Sequence, residues 1–161
     1  MILEAEAADC CSTTFVLKVD GRPIGKYEGR WFSESLDIDM MGRRHLSLEK
    51  IGWLSSEFHL KDQDGEVLAR ADRAGIFTSA WDLTLSVGVC QLIRDGWFTS
   101  AFVVQQGDTV LARVDRRGIC DRGWTISGNL NEVDLMLAGL IYHVIIQREA
   151  RQRQHHGHAG T

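Results

Sequence analysis

The sequence predicts a mainly β domain: a closed antiparallel barrel of about 11–12 strands, made of three four-strand repeats and enclosing an apolar C-terminal helix. Three observations predict it. The chain resembles itself at an offset of 43 residues, each copy alternates apolar and polar residues, and residues 133–146 form an almost unbroken apolar run.

The repeat is clearest in its second and third copies. Leu68-Ala69-Arg70-Ala71-Asp72-Arg73-Ala74-Gly75-Ile76 reappears 43 residues later as Leu111-Ala112-Arg113-Val114-Asp115-Arg116-Arg117-Gly118-Ile119. Upstream, Gly52-Trp53-Leu54-Ser55-Ser56-Glu57-Phe58 reappears at an offset of 44 as Gly96-Trp97-Phe98-Thr99-Ser100-Ala101-Phe102. The extra residue falls in the turn between them, where Asp62-Gln63-Asp64-Gly65 faces Gln105-Gln106-Gly107-Asp108. A more diverged first copy begins at Phe15, with Phe15 to Phe58, Ile24 to Val67, Ile38 to Trp81 and Trp81 to Trp124 all 43 apart.

Within a copy the hydrophobic period is two, the pattern of half-buried strands. Leu54, Phe58 and Leu60 share a face, as do Phe98, Phe102 and Val104; beyond the turn, Val67, Ala69 and Ala71 share one, and Val110, Ala112 and Val114 repeat it. These runs read as hairpins, with the next turns at Asp72 to Gly75 and Asp115 to Gly118. Phe77, Trp81, Leu83 and Leu85 form a third strand, and a fourth follows around Val89 to Ile93. In the first copy Lys26 and Glu28 stand where Ala69 and Ala71 stand, so its second strand is expected at an edge or with a bulge.

The last copy has no fourth strand of its own; a helix over about residues 131–148 takes its place. Asn129 or Asn131 can cap it, Glu132 and Asp134 sit in its first turn, and Arg148 and Arg151 lie at its end, as the macrodipole favours. The apolar run is shorter than the ~20 residues that cross a bilayer, so it reads as a core element. Closing the strands into a barrel removes open edges, and a barrel wider than about eight strands needs a filling that a helix apolar on all sides supplies. Small residues on one strand face (Ser56, Ala69, Ala71, Ser100, Ala112) leave room for it, and Gly139 allows a close approach to the wall. A β-trefoil also has three units of about 40 residues, but its core is filled by its own strands and leaves the helix unburied.

This arrangement resembles the tubby C-terminal-like barrel shared by tubby proteins, phospholipid scramblases and LURP-one-related proteins. The segment Phe58-His59-Leu60-Lys61-Asp62-Gln63-Asp64-Gly65-Glu66-Val67 is similar to a hairpin that recurs in the scramblase and LURP-one-related branch; the third copy departs from it at Gly107-Asp108. The resemblance spans roughly Phe15 to Arg148. It implies a barrel around its C-terminal helix and, as in some members, binding of lipid head groups or proteins. No functional residue carries over, because neither the tubby phosphoinositide-binding positions nor a scramblase calcium segment has a match.

Composition narrows the function classes further. The chain has 161 residues, 44% hydrophobic and 25% charged, with 16 Gly and one Pro, which suits one turn-rich domain over residues 1–150 and a disordered polar tail over 151–161. A net charge of -4 argues against a general nucleic-acid binder. The N-terminal residues lack the basic and apolar regions of a secretory signal, so a cytoplasmic location is expected. Cys10, Cys11, Cys90 and Cys120 lack zinc-site spacing and are expected as free thiols.

Candidate chemistry is sparse. The repeated Asp72-Arg73 and Asp115-Arg116 read first as turn residues, and Asp62-x-Asp64-Gly65 lacks the remaining calcium ligands. His143 reads as a hydrogen-bonded core residue, and His155, His156 and His158 as part of the tail. No nucleophile elbow, phosphate loop or zincin motif is present, so neither catalytic residues nor a cofactor nor a metal is expected. The charge feature that remains is Arg113, Arg116, Arg117 and Arg122; were they to converge, they would suit a phosphate or carboxylate. The sequence therefore points to a non-enzymatic binding domain for a lipid head group, another anion or a protein partner. A sugar-binding trefoil and a hydrolase with its site in the barrel mouth are the alternatives.

Overall fold

The computed structural model describes residues 1–29, 35–52, 56–75, 80–97, 99–117 and 122–159, the last four without side chains. Twelve strands precede one helix: β1 (Ile2–Ala7), β2 (Thr14–Val19), β3 (Arg22–Glu28), β4 (Ser35–Met40), β5 (Arg44–Ile51), β6 (Glu57–Lys61), β7 (Val67–Arg73), β8 (Trp81–Leu85), β9 (Gly88–Arg94), β10 (Phe102–Gln106), β11 (Thr109–Arg116), β12 (Trp124–Gly128) and α1 (Glu132–Ala159). Each strand pairs antiparallel with its neighbours in chain order, and β1 pairs with β12 to close the ring. The alternation turns one side of every strand inward, as with Leu36, Ile38 and Met40 on β4 and Trp81, Leu83 and Leu85 on β8.

The repeat is visible in the backbone. The first copy supplies β2–β5, the second β6–β9 and the third β10–β12, with β1 standing as the third copy's missing fourth strand. Each copy carries a register shift at the same place, between Leu17 and Lys18, Leu60 and Lys61, and Val104 and Gln105. In the first copy, β3 is no edge, since it pairs with both β2 and β4. Its tighter turn, from Lys18 to its partner Pro23 against Lys61 to Val67, moves the alignment by one residue. Gly25 and Tyr27 therefore point inward, and Lys26 and Glu28 point out.

Every residue of α1 from Asp134 to Ile145 is buried. Twelve consecutive buried residues cover all sides of more than three turns, which only enclosure achieves. Strands β1, β7, β11 and β12 pack on the helix, and the inward Ala69, Ala71 and Ala112 give it room. A side chain at Gly139 would collide with the Trp124 ring, so the helix backbone lies directly on that indole. This closed ring with a helix through it excludes the trefoil. The helix also runs on to Ala159, where the sequence suggested a disordered tail from residue 151; residues 151–155 are helical and exposed. Among the described residues no helix is long and apolar enough to cross a membrane.

The barrel has two unlike ends. At the short-turn end lie the tight hairpins of residues 20–21, 41–43, 62–66, 86–87 and 107–108 and the start of α1. At the exit end, where α1 leaves, lie longer connections such as residues 8–13 and the described 95–97 and 99–101. Leu54, Ile76, Phe77, Phe98, Gly118, Ile119 and Cys120, assigned above to strands, turns or free thiols, lie outside the described residues.

Candidate functional site: the exit end

Two fastenings set the position of the helix. At its start, Asn131 is the cap: its Oδ1 accepts the Asp134 N–H at 2.8 Å, and its Nδ2 donates to Ser86 Oγ at 3.0 Å. The buried Asp134 carboxylate accepts the Ser86 N–H at 3.3 Å and the Ser86 hydroxyl, tying the helix to the β8–β9 turn. Nearer the exit, Trp124 Nε1 donates to Tyr27 Oη at 3.0 Å, and Tyr27 Oη lies 2.8 Å from His143 Nδ1. Gln147 Nε2 donates to the Gly29 carbonyl at 2.7 Å and lies 3.2 Å from His143 Nε2. That geometry suits a neutral ring whose Nε2 accepts from Gln147 and whose Nδ1–H donates to Tyr27. Burial, helped by the charge of Arg122, pushes His143 down to about 4, and burial raises the Tyr27 hydroxyl. These are structural networks, as expected for His143.

The arginines singled out by sequence do not share one site. Arg113 pairs with Asp95, Arg117 pairs with Glu4, and Arg122 donates to the Ser12 carbonyl. The strand period sends Arg113 and Arg116 of β11 to opposite sides, while Arg113 and Arg117 reach carboxylates in different places, Asp95 just after β9 and Glu4 on β1. Arg116 alone continues the inward row of Ala112 and Val114, reaching the rim near Tyr142, whose hydroxyl is raised to about 12 chiefly by burial.

What converges instead is a group drawn from α1 and the rim of β7. Arg148 is half-buried, with its guanidinium 5.8 Å from the centre of the Phe58 ring and 5.7 Å from that of Trp81. Burial, then the charges of Arg73 and Arg151, lower its pKa. Its polar contact is one long hydrogen bond to Ser56 Oγ at 3.4 Å, and it faces no carboxylate among the described residues. Nearby, Arg94 sits over Phe102, donates to the Thr99 carbonyl and pairs with Glu149. Phe58 and Phe102 are equivalent in the repeat, and each carries an arginine on its face. Trp97, at the same end, is 94% exposed.

Elsewhere the polar groups are accounted for. Asp62 Oδ1 accepts the N–H groups of Asp64 and Glu66, each at 2.9 Å, a turn fastening rather than a calcium loop. Asp72 lies opposite Glu57 and Asp82 on the outer face, and burial and those carboxylates raise its pKa. Cys11 and Cys90 carry free thiols, and the described residues contain no group of three or more metal-ligating side chains. The side chains of His156 and His158 lie outside the described residues.

This geometry defines a class: a closed twelve-strand antiparallel barrel threaded by its own C-terminal helix, with an arginine-rich exit. A protein of Arabidopsis thaliana, AT5G01750, known from an X-ray structure, is similar in fold, with a TM-score of 0.55, 14% identity and 89% of each chain covered. No family model matches the chain, and none of the curated proteins does.

Proposed function

We propose that this protein is a non-enzymatic binding domain of the tubby-like barrel type, and that it takes a phosphate or similar anionic group at the exit end. The observation that carries the reading is Arg148, a half-buried cation beside Arg73 and Arg151 with no carboxylate facing it among the described residues. A guanidinium set over two aromatic rings, with one long hydrogen bond to Ser56, keeps donors for a bidentate acceptor, and a dianion would relieve the repulsion of its cationic neighbours. The exposed Trp97 suits a lipid head group as the source of that phosphate, since indole rings settle at bilayer interfaces. A cytoplasmic location belongs to the same reading.

The test compares glycerol 3-phosphate in solution with vesicles of neutral lipid and vesicles containing phosphatidic acid. Binding to the acidic vesicles should fall as salt is added. Arg148→Gln should lose at least tenfold in affinity, while Arg113→Gln, whose residue is paired with Asp95 elsewhere on the barrel, should keep it. Binding of free glycerol 3-phosphate as tight as that of acidic vesicles would assign a soluble ligand. Failure to bind either, or equal loss in both variants, would contradict the site.

A further inference from the structure

The short-turn end carries an unrelated feature. Of the eight large hydrophobic residues most exposed among the described residues, Trp97 is at the exit end and the other seven are at the short-turn end. Val67 and Val110 occupy equivalent repeat positions just past the register shift, where each points outward. Val89 is 63% exposed and Met41 67% exposed. The neighbouring β8–β9 and β10–β11 turns are held together by Gln106 Nε2, which donates to the Val87 carbonyl at 2.9 Å, so this apolar rim is built rather than frayed.

Two adjacent hairpins on the same rim carry opposite charge. The β4–β5 tip carries Arg43 and Arg44, and the next tip, β6–β7, carries Asp64 and Glu66, all exposed. We propose that two copies of this chain associate end to end through this surface, about a two-fold axis passing between those two tips. A two-fold face must be self-complementary, so that whatever residue i meets on the partner also meets residue i. With the axis placed there, the ring order of the strands sets the β4–β5 tip of each copy against the β6–β7 tip of the other. Arginines then face carboxylates twice, and Met41 faces Val67. The same rotation sets Pro23 against Val89 and Ile2 against Val110. One axis thus sets the two most highly charged tips against each other with opposite sign and places Val67, Val89 and Val110 against Met41, Pro23 and Ile2, while Asp20, Arg22 and Asp108 lie on the same rim outside these pairs. The acidic tip disfavours an anionic bilayer as the occupant of this end.

Sedimentation equilibrium of the full chain tests the proposal. The expected mass is twice that of the chain at concentrations up to about 0.1 mM, falling to the single-chain value for Val89→Asp/Val110→Asp. Arg43→Glu/Arg44→Glu places acid against acid in both contacts, and Asp64→Arg/Glu66→Arg places base against base, so each variant should be monomeric. Mixed together they should form a heterodimer, because each contact then pairs opposite charges. Circular dichroism should show every variant folded, since the altered residues are exposed. A wild-type monomer throughout that range overturns the proposal, as do charge variants that self-associate like the wild type or a mixture that stays monomeric.

Discussion

His143 is the residue at which the cost of burial is most easily read. Its pKa of about 4 lies below the ~6.5 of the unfolded chain, so the unfolded state takes up the proton first as pH falls. The stability held by the neutral ring is whole above about pH 6.5 and declines toward pH 4 by roughly 3 kcal/mol, then levels off. Chemical denaturation of wild type and His143→Gln at pH 7, 5.5 and 4 should show the gap between them narrowing as pH falls; a gap that widens would place the proton on the wrong side of folding. At Ser86, substitution by alanine removes the hydroxyl bond to the buried Asp134 carboxylate. It should cost about 1.5–3 kcal/mol, whereas an exposed serine would cost less than about 0.5 kcal/mol. The site was least legible at this scale. Arg113, Arg116, Arg117 and Arg122 are close in sequence, but β11 sends Arg113 and Arg116 to opposite faces, and Arg117 and Arg122 lie beyond its end. Arg73 and Arg148 come from two elements far apart in the chain, and their shared feature was visible only as separate signals: a repeated Asp-Arg pair and a helix-end cation. Nothing in the local sequence of either announces the other.

Among the elements, α1 answers for the core. Leu135, Leu137, Leu140, Ile141, Val144 and Ile145 are all buried, each contributing about 1.5–3 kcal/mol, and together they rival the ~5–15 kcal/mol net stability of a domain. Leu140→Asp should abolish cooperative unfolding, while Gln152→Asp, on the exposed extension, should leave the midpoint nearly unchanged. Gly139→Ala should destabilise by about 1–3 kcal/mol despite alanine's better helix propensity, because the methyl meets Trp124. The helix was legible because its apolar run has no polar stripe. Strands of the second copy were legible for the matching reason, their alternation. The exceptions are Val67 and its equivalent Val110, expected on the inner face with Ala69 and Ala71 and with Ala112 and Val114; both point outward because the register shifts after Leu60 and Val104. β1 was not: Ile2-Leu3-Glu4-Ala5-Glu6-Ala7 has little β-branched character and no repeat partner, and it becomes a strand by completing the gap between β12 and β2. The first copy misled by one residue because its turn is shorter, and a shift of one exchanges the faces.

At the scale of the whole molecule, the barrel sorts part of its surface by end, with Arg73, Arg94, Arg116 and Arg148 where the helix leaves and the exposed valines and methionines where it starts. That sorting follows from the repeat, since a residue fixed at one point of the unit recurs at one level of the ring. Arg73 and Arg116 recur in this way at the exit, and Val67 and Val110 at the opposite rim. The sorting holds only if barrel and helix are one cooperative unit. Amide hydrogen exchange on the intact chain tests this most directly. The amides of residues 136–145 should be protected to the same degree as the slowest strand amides, exchanging only by global unfolding, while those beyond residue 150 exchange freely. If residues 136–145 exchange as fast as the exposed extension while the strands stay protected, the helix is not the core of the barrel and the account fails.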